Sequence, residues 1–184
     1  MNELNNNQQK ERSTFWTSVL TAGLIIGGAI VLSDLIIVQG LGLSGNFLVT
    51  FCSVFGVYIA QKYYRDTHKE GLISYGMALR FGTFTMAAAG VLRGLYAALL
   101  FKFVPGLWDK IMLVVEEAYF NMGVSDADIS LMLEPVRNGI SPLMLLISFV
   151  VASMFSGFFI SLLTSIAVKR NSQNPFNDAM RGVK

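Results

Sequence analysis

The chain has 184 residues, 53% of them hydrophobic and only 14% charged, and its mean hydropathy is +0.54. Soluble domains carry about 25% charged residues, so this composition excludes an ordinary soluble domain and places the chain among membrane proteins. A net charge of +2 gives no reason to expect a nucleic-acid partner, and a single cysteine with a single histidine excludes an intrachain disulfide and argues against a Cys/His metal centre.

Residues 1–14 form a polar tail. The first apolar segment, residues 15–38, reads "FWTSVLTAGLIIGGAIVLSDLIIV". As a helix it reaches roughly 36 Å, against a hydrocarbon core of about 30 Å. A signal peptide is the competing reading; the length of the run and the polar tail ahead of it weigh against that. The turn "QGLG" leads to a second segment, residues 43–60, in which Cys52 reads as a small buried residue. A third segment covers 81–104 and a fourth 143–168. All four are predicted to cross the membrane as helices, because backbone polar groups in lipid must be satisfied internally. The expected fold class is therefore all-α: an integral membrane four-helix bundle forming a single domain over residues 15–168.

Lysine and arginine set the expected orientation. Lys10 and Arg12 precede the first segment. Lys62, Arg65, Lys69 and Arg80 lie between the second and third, in "QKYYRDTHKEGLISYGMALR". Lys169, Arg170, Arg181 and Lys184 fall in the basic tail, residues 169–184. The long connection 105–142 has only Lys110 and Arg137. Both termini are thus predicted to be cytoplasmic, with the long connection outside. Lys62, Arg65, Lys69, Lys169 and Arg170 are placed to meet anionic lipid headgroups. Phe15, Trp16, Tyr58, Tyr63, Tyr64 and Trp108 fit interfacial anchors.

Within the external segment, Leu107, Ile111, Val114, Val115, Ala118 and Met122 recur at helical spacing. They predict an amphipathic helix on the outer membrane surface or across the bundle mouth. Asn121 to Gly123 ends it. Ser125 with Asp128 three residues on is a second start signal, and Pro135 and Gly139 limit that helix. Glu116, Glu117, Asp126, Asp128 and Glu134 match no calcium-loop spacing and read as a solvated acidic face.

Small residues recur every four positions: Gly23 and Gly27; Cys52, Gly56 and Ala60; Gly90, Gly94 and Ala98; Ser153, Gly157, Ser161 and Ser165. Such stripes let helix backbones approach closely where no hydrophobic drive exists between helices. Arg93 sits on the Gly90 face of the third segment, inside "AAAGVLRGLYAALL", and needs an answer to its charge. Asp34 shares a face with Gly27. It lies roughly 27 Å along its helix from Trp16, and Arg93 roughly 20 Å along its own from Arg80. Both fall in the outer half of the bilayer, which makes Asp34 the expected partner of Arg93. The pair reads either as a device fixing helix register or as an ion or substrate site. Lys102 reads as an outer-interface lysine.

"EGLISYGMALRFG", "NMGVSDADISLML" and "ISPLMLLISFVVASMFSGFFISLLTSIAVKRN" with its trailing "NPF" resemble the bacterial domain-of-unknown-function family 4199. The likeness spans nearly the whole chain and is clearest from Glu70 to Phe176. It implies a small four-helix integral membrane protein of bacteria, and it implies no activity and no site residues. No GxSxG, HExxH or P-loop is present, and His68 lies in a basic connection, so an enzyme is not expected. No cofactor is expected either. The expected function is a non-enzymatic packing or partner-binding component of the inner membrane, in contact with the lipid bilayer and with a second copy or a membrane partner protein. The alternative is a small transporter or channel component using Asp34 and Arg93.

Overall fold

A computed structural model describes residues 2–38, 45–104, 106–139 and 141–170. These form six helices: α1 (Asn2–Val38), α2 (Gly45–His68), α3 (Tyr75–Phe103), α4 (Leu107–Asn121), α5 (Asp126–Gly139) and α6 (Pro142–Val168). No strand occurs among them. The "QGLG" turn, Pro105 and the tail from residue 171, with Arg181 and Lys184, lie outside the described residues.

Local chemistry sets the helix starts. The Ser74 hydroxyl accepts from the Met77 amide at 3.3 Å, and Ser141 accepts from Met144 at 3.2 Å just ahead of Pro142. Ser125 accepts from the Asp128 amide at 3.3 Å and donates to the Asp128 carboxylate at 2.6 Å, so the predicted start signal operates. Gly123, at φ 81°, turns the chain between α4 and α5. Pro135 lies inside α5 rather than limiting it; only Gly139 marks the end.

Helices α1, α2, α3 and α6 form the bundle. α3 is its centre: it packs most extensively on α6, then on α1, and touches α2. Gly23 faces Ala88 and Gly27 faces Ala89 and Leu92, so α1 and α3 run parallel. Gly82 faces Ser161, Gly90 faces Ser153 and Gly94 faces Leu146, so α3 and α6 run antiparallel. Gly56 meets Ile26 and Cys52 meets Ser33 at 3.7 Å, so α2 runs antiparallel to α1. The start of α1 and the end of α6 therefore emerge at one end of the bundle, together with the α2–α3 connection. There the chain is tied by an isolated antiparallel bridge: the Ile73 amide donates to the Arg170 carbonyl at 3.0 Å and the Arg170 amide to the Ile73 carbonyl at 3.2 Å.

Among the described residues, three stretches are long and apolar enough to cross a membrane: Gln9–Leu35 in α1, all of α3, and all of α6. α2 is not among them. It packs in the same bundle, but its apolar run ends at Ala60, and Gln61, Lys62, Arg65 and Asp66 continue the same helix. Large apolar side chains cover the outward surfaces. Phe47, Phe51, Phe55 and Ile59 form an exposed stripe on α2, and Phe155, Phe159, Leu163 and Ile166 lie exposed on α6.

α4 and α5 pair through their own small core of Met112, Ile129 and Leu133. Among the described residues they meet the bundle only where α4 joins the end of α3, through Phe101 and Trp108 at 5.8 Å between rings. They do not lie across the bundle mouth.

Candidate functional site

The intramembrane charges meet. Arg93 donates from Nε to Asp34 Oδ2 at 2.8 Å and from Nη2 to Oδ1 at 3.0 Å. This two-pronged geometry fixes both planes and satisfies both carboxylate oxygens. The Arg93 guanidinium also lies 5.2 Å from the centre of the Phe149 ring, which brings α6 into the arrangement. The side chains are 29% and 18% exposed, so the pair sits at the flank of the α1–α3–α6 contact rather than sealed within it. Two cavities at the end of the bundle where α1 starts are lined by other residues, without Asp34 or Arg93.

The small-residue positions sit at helix crossings. A Cβ on Gly90 would lie 2.6 Å from Ser153 Cβ and 2.9 Å from the Phe149 carbonyl oxygen. One on Gly94 would meet the Leu146 backbone at 3.0 Å. Gly157 faces the Met86 side chain, with no room for another carbon. Gly23, Gly27, Gly56, Ser153 and Ser161 occupy equivalent contacts.

A second polar layer lies between α2, α3 and α6. Gln61, Thr85, Ser161 and Ser165 are all fully buried. The Gln61 amide nitrogen donates to the Ala78 carbonyl at 2.9 Å and to the Ser165 hydroxyl at 3.2 Å. Gly82 opens the space into which the Gln61 and Ser161 side chains reach. Gln61 Oε1, Thr85 Oγ1 and Ser161 Oγ have no hydrogen-bond partner among the described residues. One turn further, Arg65 donates from Nη1 to the Val168 carbonyl at 3.1 Å and from Nε to Asp66 at 2.7 Å. It thereby answers an orphan carbonyl at the end of α6. The Arg65 guanidinium beside Asp66 holds that carboxyl below the usual aspartate range.

Two expectations change here. Arg65, placed at the lipid headgroups by its sequence context, is buried and serves the end of α6 instead. Gln61, read as the first residue of the basic connection between the second and third segments, is a core residue. The signal was spacing: Ser53, Val57, Gln61 and Arg65 recur every four residues and form the most buried line of α2. That line is offset by one residue from Cys52, Gly56 and Ala60. Lys62, Lys169 and Arg170 are exposed at the same end of the bundle; Lys69 is partly covered and pairs with Glu11 at 3.2 Å.

Among the described residues this is an all-helical protein with three helices long and apolar enough to cross a membrane, and an Asp34–Arg93 charge pair joins two of them at the flank of their contact. The chain belongs to the family described as protein of unknown function (DUF4199), whose model matches residues 21–170. No curated protein and no solved structure matches the chain.

Proposed function

We propose that the protein is a multi-pass component of a bacterial inner membrane, with α1, α2, α3 and α6 crossing it and both termini in the cytoplasm. Its work is non-enzymatic: it packs with a second copy or a partner membrane protein. The lysines and arginines clustered at the end shared by the start of α1, the α2–α3 connection and the end of α6 support this orientation. For α2, close packing against α1 and α6 along its length supports a fourth crossing despite its polar last turns.

The observation that carries the packing role is the closure of the charge pair. Both oxygens of Asp34 are taken by Arg93, and neither cavity includes either residue. A transporter needs charges that a substrate or ion can engage in turn. A pair satisfied on both sides is better suited to holding α1 and α3 in register. The outward apolar face of α6 then offers the surface for another helix.

The test is purification of the full chain in native-lipid particles, with cysteine cross-linking from Phe159 and Leu163. A cross-linked second copy or a discrete partner band, lost when both positions are moved to Leu95 and Leu99 on α3, is the expected result. A monomer that dissipates an ion gradient in liposomes, and stops doing so in Asp34→Asn, would overturn the reading.

A further inference from the structure

At the end of the bundle where α1 starts and α6 ends, residues of α1, α2, α3 and the α2–α3 connection line a cavity of about 680 Å³. Its charged lining is Arg12, Lys69, Arg80 and Glu11. Glu11 answers Lys69 at 3.2 Å. Arg12 and Arg80 have no hydrogen-bond or ion-pair partner among the described residues, although each borders a cavity wall. That wall is aromatic: Trp16 and Phe84 meet with ring centres 5.2 Å apart. Two unanswered guanidiniums beside an apolar wall, at the edge of membrane-crossing helices, form an amphipathic receptacle.

From this geometry we infer that the cavity binds the phosphate headgroup of an anionic phospholipid from the adjacent leaflet. Guanidinium forks match phosphate oxygens, and Arg12 and Arg80 line the same cavity, where an anion can draw on both. The volume exceeds what a bare phosphate fills and accommodates a headgroup with its glycerol. Trp16 and Phe84 then face the upper acyl carbons, which a free phosphate ion lacks. This site is separate from the Asp34–Arg93 pair and goes beyond the packing role proposed above.

The test places the full chain in nanodiscs of mixed phosphatidylcholine and phosphatidylglycerol and counts retained lipids by native mass spectrometry. The wild-type chain is expected to hold phosphatidylglycerol several-fold above its share of the bilayer. Arg12→Gln with Arg80→Gln should bring retention down to the bulk ratio. A charge-matched control at the opposite end, Lys102→Gln with Lys110→Gln, should leave the enrichment intact. If the double change prevents recovery of folded protein, Arg80→Gln alone is read in the same assay and should lose most of the enrichment. A second arm adds inorganic phosphate against chloride at equal ionic strength, and no displacement of lipid is expected. Enrichment that survives loss of the arginines, or falls equally in the control, would overturn the proposal. So would displacement by inorganic phosphate, which assigns the site to the free ion.

Discussion

Arg65 of α2 reaches across to the main-chain oxygen of Val168, the last residue of α6, and bonds it at 3.1 Å while lying almost wholly buried. A side chain that sequence context would give to the membrane surface is thus the cap of a helix 103 residues away. Replacing it with methionine keeps most of the apolar stem and removes the donor. We expect Arg65→Met to cost about 2 kcal/mol, the range for a hydrogen bond from a charged group to a buried acceptor. Lys62→Met, on the exposed face of the same turn, should change stability by less than about 0.5 kcal/mol. Unfolding in a detergent series reads both.

The Asp34–Arg93 pair predicts coupling. Asp34→Asn and Arg93→Gln each leave the other charge without its partner, and each should cost about 2 kcal/mol, below the range for fully buried pairs because these side chains keep some exposure. The double change should cost less than the sum of the singles. Strict additivity in that cycle would mean that the bond contributes nothing beyond its parts.

Glycines differ by neighbourhood. Gly90→Ala drives a carbon against Ser153 and the Phe149 carbonyl, and should destabilise by about 1–3 kcal/mol. Gly28 has open space where its Cβ would be, so Gly28→Ala should be neutral or gain up to about 1 kcal/mol from helix propensity. The opposite order in a stability measurement would contradict the α3–α6 contact.

Thr85 is a test of the polar layer. Its hydroxyl is fully buried and has no partner among the described residues, so Thr85→Val should be neutral or stabilising by up to about 1 kcal/mol. Gln61→Leu should do the reverse, because it removes the donor to the Ala78 carbonyl and the Ser165 hydroxyl. A costly Thr85→Val, read by the same unfolding curves, would show that the hydroxyl is engaged.

Asp66 gives a pH dependence with a definite sign. Its folded pKa is depressed by the bond from Arg65, so its contribution is present above the unfolded value of about 3.9 and is lost as pH falls through the folded value. Stability of the wild type should therefore drop more steeply than that of Asp66→Asn on acidification below about pH 4. Parallel curves for the two proteins would remove this group from the balance.

Much of this architecture was legible in the sequence because lipid imposes few solutions. Apolar run length located the cores of α1, α3 and α6, and register along two parallel helices brought Asp34 to Arg93. The helix pair α4 and α5 followed from spacing and from Ser125. What escaped was polar and buried. Gln61 and Arg65 stand beside Lys62, Asp66 and His68, and a stretch so rich in charge reads as a connection. Only their four-residue continuation of Ser53 and Val57 marks them as one helix face, and that line competes with the small-residue line beside it. The cavity lined by α1, α2 and α3 was equally hidden, since Arg12 and Arg80 lie in separate segments and only helix packing brings them to the same cavity.

The central position of α3 has a consequence for how the chain is made. Its glycine line at Gly82, Gly90 and Gly94 is closed by α6, which is synthesised after every other described helix, α4 and α5 included. Before α6 is made, α3 has only α1 and α2 of the bundle to pack on, and its glycine line is left as a groove of bare backbone. A nascent chain stalled before Pro142 would present that groove to any passing small-residue helix. The risk of false pairing during biogenesis is therefore concentrated on one helix face, and it ends when α6 docks and Ile73 closes its bridge to Arg170.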